Sequence, residues 1–151
     1  MDPAISQAYG VAGAVVCLGM SAAGSALGTG VAACSAAGAW KKCYAQNKQA
    51  PFLLLSFVGA PITQTLYGMI LMFTMFGKAH IGPPLLILGA FSGLAIGLSA
   101  YYQGKAGAAA ADAQAETGQG LTNYLAALGI IETVAIFTMV FTLIAIGKIS
   151  G

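Results

Sequence analysis

The chain has 151 residues, of which 58% are hydrophobic and 7% are charged, and its net charge is +2. Soluble domains carry about 25% charged residues, so this composition excludes an ordinary soluble enzyme and a nucleic-acid-binding protein. We expect a protein that lies within a lipid bilayer.

Four mainly apolar segments are each long enough to cross a membrane as a helix, which takes roughly 20 residues. They cover residues 10–39, 52–77, 84–111 and 121–147. Short polar breaks at 41–51, 78–84 and 112–120 separate them. Since these breaks leave no room for a domain outside the membrane, the sequence predicts an all-α fold with four transmembrane helices and a single membrane domain, residues 1–151.

Lysines are more numerous at one predicted membrane surface than at the other. One surface has Lys41, Lys42, Lys48 and, near the end of the third segment, Lys105, whereas the other has Lys78 and Lys148. Positively charged loops stay on the cytoplasmic side. We therefore expect the breaks 41–51 and 112–120 to be cytoplasmic and both termini to lie outside.

The four segments alternate between two kinds of helix. The first and third are rich in Gly and Ala, and the third has Gly89, Gly93 and Gly97 at a spacing of four. Such spacing lets helix backbones approach closely in a membrane. The second and fourth segments are filled with Leu, Ile, Phe and Met. This order predicts a duplicated hairpin, about 8–77 and 84–148, with the bulky helices facing lipid.

Overlaying the two hairpins locates a difference between them. Placing residues 29–39 on 103–113 pairs Thr29 with Gln103, and placing 62–70 on 130–138 pairs Gln64 with Glu132. The second hairpin therefore has an acid where the first has an amide.

Glu132 lies near the middle of the fourth segment, where a carboxylate costs at least about 2.5–3.5 kcal/mol and is functional by default. Gln64 and Gln103 fall at about the same depth, and Thr63, Gln64 and Tyr67 share one side of the second segment. Pro61 lies one turn earlier and loosens the backbone there. An all-oxygen set with one negative charge favours a monovalent cation over Zn²⁺ or Cu²⁺.

Three stretches together resemble a known family. "PITQTLYG" (61–68), "YYQGKAGAAAADA" (101–113) and "GIIETVAI" (129–136) are similar to the proteolipid (K or c) subunit of prokaryotic V-type and A-type ATPases. The resemblance covers nearly the whole chain. It implies a homo-oligomeric rotor ring of identical subunits in the prokaryotic inner membrane, surrounded by lipid. A stator membrane subunit with an Arg and a central-stalk subunit at the cytoplasmic loops would be its partners.

The same resemblance implies the ion and its ligands. In sodium-pumping members this pattern of residues binds Na⁺. The resemblance therefore implies that Tyr67 holds the carboxylate in place. It also implies that the ligands of the ion are the carbonyl of Ala60 and the side chains of Thr63, Gln64, Gln103 and Glu132. Only one hairpin has the acid, so we expect one ion per subunit. The chain has no ATP-binding motif. It is therefore expected to be a non-catalytic subunit without an organic cofactor.

Other interpretations of the sequence remain open. In a ring that carries H⁺, Thr63, Gln64 and Gln103 would only hydrogen-bond a protonated Glu132. A small dimeric four-helix exporter could use Glu132 to exchange a proton for a cation. A structural scaffold with four membrane spans would transport no ion, but it would gain nothing from a carboxylate in the membrane.

Overall fold

The computed structural model describes residues 1–149, so the last two residues of the predicted domain lie outside the described part. The helices are α1 (Pro3–Ala45), α2 (Leu55–Gly59), α3 (Thr63–Phe76), α4 (Pro83–Thr117) and α5 (Leu121–Ile149), with 3₁₀ turns at Phe52–Leu54, Ala60–Ile62 and Ala79–Ile81. The described residues contain no strand, which confirms the all-α prediction. Four helical spans are long and apolar enough to cross a membrane: α1, the second span (Phe52–Phe76), α4 and α5.

The first helix begins earlier than the predicted residue 10. Asp2 caps it, because its side-chain oxygen accepts a hydrogen bond from the N–H of Ala4 at 2.8 Å, and Pro3 suits the first helical position. At the other end α1 runs to Ala45, so residues 41–45 are helical and the predicted break at 41–51 is too long. Counting apolar residues misses polar turns that continue a helix.

The third helix ends later than predicted. Residues 112–117 belong to α4, which leaves residues 118–120 as the connection to α5. Ala, Gln and Glu are strong helix formers, so this polar stretch continues the helix. Gly118 ends it in the left-handed conformation (φ 69°), with its N–H bonded to the carbonyl of Gln114. The prediction that 112–120 forms a loop is therefore wrong.

The longer α4 also changes the position of Lys105. At 1.5 Å per residue this lysine lies about 18 Å before the end of the helix at Thr117, not near it. Its ammonium lies 5.7 Å from the centre of the Tyr101 ring and 5.8 Å from that of Tyr102. Lys105 is therefore a helical residue about three turns before the end of α4.

The two glycine-rich helices, α1 and α4, pack backbone against backbone. A Cβ atom added at Gly13, Gly24 or Gly28 would collide with main-chain atoms of α4. The reciprocal glycines of α4, Gly89 and Gly104, would collide in the same way with α1. This close approach is what small-residue stripes permit in a membrane, where lipid provides no hydrophobic force for association.

The four spans form a quadrilateral in cross-section. Contacts run from α1 to α4, from α4 to α5, from α5 to the second span and from the second span back to α1, and α4 also contacts the second span across one diagonal. The α1–second span edge and the α4–α5 edge therefore lie on opposite sides of the bundle. Only 17% of the most apolar stretch of α5 and 28% of that of the second span are buried, so these two present the most apolar surface to lipid.

Candidate ion-binding site

The second span is interrupted where the predicted site begins. Pro61 is buried and lies in the 3₁₀ turn Ala60–Ile62, between α2 and α3, because proline has no N–H for the helical ladder. The Thr63 hydroxyl lies 3.0 Å from the carbonyl oxygen of Ala60 and 3.1 Å from Oε1 of Gln64. The turn thus brings a backbone oxygen, a hydroxyl and an amide oxygen together.

Two buried glutamines connect the second span to α4. Gln64 is 0% exposed and Gln103 is 1% exposed. Nε2 of Gln64 donates to Oε1 of Gln103 at 2.7 Å. Buried amides that lacked partners would be costly, so this bond fixes the relative positions of the two helices at this depth.

Glu132 receives hydrogen bonds from two different helices. Tyr67 donates its hydroxyl to Oε1 at 2.7 Å, and Gln103 donates Nε2 to Oε2 at 3.2 Å. The same Nε2 lies 3.0 Å from the carbonyl oxygen of Leu128. Each carboxylate oxygen of this partly buried side chain therefore accepts a hydrogen bond from another helix of the bundle.

All of the predicted site residues lie in one cluster. An unbroken sequence of contacts runs from the carbonyl of Ala60 through Thr63, Gln64 and Gln103 to Glu132, and Tyr67 completes it. The cluster contains one carboxylate and several neutral oxygens. Such a set suits a hard cation of low charge or a proton.

Two groups next to this cluster were not predicted, the hydroxyl of Ser99 and the backbone carbonyl of Leu128. Ser99 donates its hydroxyl to the carbonyl of Ile131 at 2.9 Å, which ties α4 to the residue just before Glu132. Ser99 lies one turn before Gln103 on the same side of α4, so helical spacing could have identified it. The carbonyl of Leu128 is a backbone atom, and no residue type in the sequence indicates it.

Thr29, the predicted counterpart of Gln103, lies outside this cluster. It lines a groove between α1 and the second span together with Ser25, Ile62 and Thr65. Its hydroxyl oxygen is buried and has no hydrogen-bond partner among the described residues.

Removing the Tyr67 hydroxyl is expected to make the Glu132 side chain react faster with a carbodiimide. In Tyr67→Phe, Oε1 of Glu132 loses its hydrogen-bond donor, so the carboxyl group is held less firmly and a hydrophobic carbodiimide reaches it more readily. We expect roughly fivefold faster carbodiimide labelling of Glu132 at neutral pH, equivalent to about 1 kcal/mol. Tyr44→Phe is the control, since Tyr44 is exposed and far from the cluster in sequence. An unchanged rate in Tyr67→Phe would contradict a role for this hydroxyl.

Comparison with known proteins finds a similarity for part of the second hairpin. Residues 86–145 match the family model of the C subunit of ATP synthase. The matched part includes Gln103 and Glu132 but not the second span. No curated protein matches the chain. The match and the four apolar helical spans together support an integral, multi-pass membrane protein.

Proposed function

We propose that this chain is the ion-carrying rotor subunit of a V-type ATPase, and that it binds one Na⁺ at Glu132. The match of residues 86–145 to the C subunit of ATP synthase supports a rotor subunit that moves ions and is not itself catalytic. The observation that carries the sodium assignment is the contact network from Ala60 to Glu132, built around two fully buried glutamines.

The chemistry of the donors favours Na⁺. The Ala60 carbonyl, the Thr63 hydroxyl and the two amide oxygens are neutral, so Glu132 supplies the one negative charge. A monovalent cation leaves this set neutral, whereas a divalent one would leave a net charge in hydrocarbon. Gln64 and Gln103 can present their oxygens to the ion by rotating their terminal amides.

Neutrality also provides the mechanism of transport. Glu132 loaded with Na⁺ or with a proton can face lipid, while the bare carboxylate needs a cation beside it. An Arg of a stator membrane subunit would supply that cation at the point of ion exchange. A ring of identical subunits would then carry ions in one direction as it turns, driven through a central stalk by ATP hydrolysis on other subunits.

The stoichiometry follows from the single carboxylate of the cluster. The position that the sequence overlay pairs with Glu132 is Gln64, which is neutral. One Na⁺ per chain is expected in an equilibrium binding measurement with ²²Na⁺ on the purified ring. Two ions per chain would refute the assignment of Glu132 as the only charged ligand.

A proton-carrying ring is the second candidate, and one observation favours it. Gln103 turns its N–H, and not its amide oxygen, towards the carboxyl group. In this arrangement Gln103 is a hydrogen-bond partner of Glu132 rather than an oxygen ligand of an ion, which is its expected role in a ring that carries H⁺.

Carbodiimide labelling of Glu132 with and without Na⁺ distinguishes the two ions. If Na⁺ and H⁺ compete for the carboxylate, added Na⁺ slows labelling, and the protection increases as pH rises. If the ring carries only H⁺, labelling depends on pH alone. K⁺ at the same concentration controls for ionic strength.

Replacing Gln103 tests whether the buried amide is a ligand. In Gln103→Leu we expect Na⁺ protection to require at least about tenfold more Na⁺, since the loss of one ligand oxygen costs on the order of 1.4 kcal/mol or more. Gln114→Leu is the matched control on the same helix. Its Oε1 is buried and has no hydrogen-bond partner within residues 1–149, so this change removes no hydrogen bond of that atom there. Equal Na⁺ dependence in the two variants would exclude Gln103 from the site.

A further inference from the structure

A groove between α1 and the second span has two buried hydroxyls without partners. Ser25 and Thr29 line it from α1, and Ile62 and Thr65 line it from the second span. The side-chain oxygens of Ser25 and Thr29 are buried and make no hydrogen bond with any described residue. Ser25 is only 4% exposed. Buried hydroxyls normally have hydrogen-bond partners, and a single chain does not supply them in this groove within its described residues.

The opposite edge of the bundle presents a hydroxyl that also lacks a partner. Tyr102 lies on α4, 56% exposed, beside Ile130 and Val134 of α5. Its ring packs edge-on against Tyr101, with centroids 5.4 Å apart, and lies beneath the Lys105 ammonium. Among the described residues no atom accepts from or donates to the Tyr102 hydroxyl. The rigid ring therefore holds a polar group at the surface of a membrane-spanning helix.

The groove and the tyrosine lie at the same depth in the membrane. Gly28 packs against the backbone of Ala100, and Gly104 packs against the backbone of Gly28. Thr29 follows Gly28, and Tyr102 lies between Ala100 and Gly104. Two copies that stand side by side in the same orientation therefore bring the tyrosine of one to the level of the groove of the other.

We propose that Tyr102 of one copy inserts into the groove of the next and bonds to Ser25 and Thr29. This inference rests on the proposed ring, in which each contact joins two different faces and the series closes. A phenol can donate one hydrogen bond and accept another. Because both oxygens are buried in a single chain, Ser25 and Thr29 turn about χ1 to meet it, and the phenol then donates to Thr29 while accepting from Ser25. The contact sets the register between neighbours at the depth of the ion site.

Cross-linking tests the contact directly. A chain with its three cysteines replaced by alanine carries Thr29→Cys and Tyr102→Cys and is treated in membranes with a short, flexible bis-maleimide. We expect a ladder of cross-linked dimers and larger oligomers, because each copy can be linked to one neighbour through position 29 and to the other through position 102. The control pairs Thr29→Cys with Tyr101→Cys, whose position lines a different groove with Met20 and Leu27. We expect at least fivefold less cross-linking there. Equal yields in the two pairs would overturn the contact.

A mutant cycle gives an independent readout. Tyr102→Phe and Thr29→Val each keep the shape and remove one hydroxyl, and each is expected to lower the temperature at which the detergent-solubilised ring dissociates. The dissociation temperature of the double variant should be no lower than that of the less stable single variant, because both substitutions remove the same hydrogen bond. Strictly additive losses overturn the proposal, as does a Thr29→Val ring that is more stable, since that is the effect of removing a hydroxyl that never had a partner.

The two proposals fail in different ways. Mass measurement of a chain that stays monomeric overturns the rotor function and this contact together. A ring that shows Na⁺ protection of Glu132 but neither the cross-link ladder nor the coupled effect overturns this contact and leaves the rotor function standing.

Discussion

Glu132→Gln is expected to abolish ATP-driven Na⁺ uptake by vesicles that contain the assembled complex, down to the background level. Glutamine keeps the size of the side chain but cannot carry the charge that neutralises Na⁺ or give up a proton. The variant should also lose carbodiimide labelling at position 132, because the side chain there no longer has a carboxyl group to react. The measurements are ²²Na⁺ uptake and labelling of the purified ring.

Glu116→Gln is the matched control for this result. Glu116 is the other glutamate of the chain and lies exposed in the last turn of α4. The same substitution there removes one negative charge without touching the buried cluster, so uptake should stay near the unmodified level. Full transport by the Glu132→Gln variant would refute the proposed carrier.

Gly24→Ala is expected to cause a large loss of stability for the addition of a single methyl group. A Cβ at this position would meet the carbonyl oxygen and Cα of Gly97, which are backbone atoms that cannot move aside. The helices must separate along their contact, and overpacking of this kind costs roughly 3 kcal/mol or more. The measurement is thermal unfolding of the protein in detergent, followed by the loss of helical signal.

Gly38→Ala on the same helix separates crowding from the change in residue type. No atom lies within 4 Å of a Cβ placed at Gly38. Alanine is the better helix former by about 1 kcal/mol, so this variant should be as stable as the original chain or more stable. If the two variants behaved alike, close packing of α1 on α4 would not be what makes Gly24 necessary.

Much of the fold could be predicted from composition and spacing. Four apolar runs indicate four spans because only helices of that length satisfy the backbone in hydrocarbon. The ends of the helices could not be predicted in this way. Residues 112–117 are polar yet helical, and Lys105 lies well inside α4 because helix formation depends on backbone bonds and caps rather than on hydropathy.

The sequence by itself determined which residues form the candidate site, since an intramembrane acid is costly and helical spacing brings its polar neighbours to one depth. Glu132, Gln103, Gln64, Thr63 and Tyr67 all lie in the cluster. Only the tertiary structure decided how they bond. Gln103 links Gln64 to Glu132, Ser99 supports the backbone beside Glu132, and Thr29 has no hydrogen-bond partner among the described residues. All three results depend on how helices distant in sequence approach one another. Spacing along one helix defines which side chains share a face, but the contact between two helices determines which atoms meet.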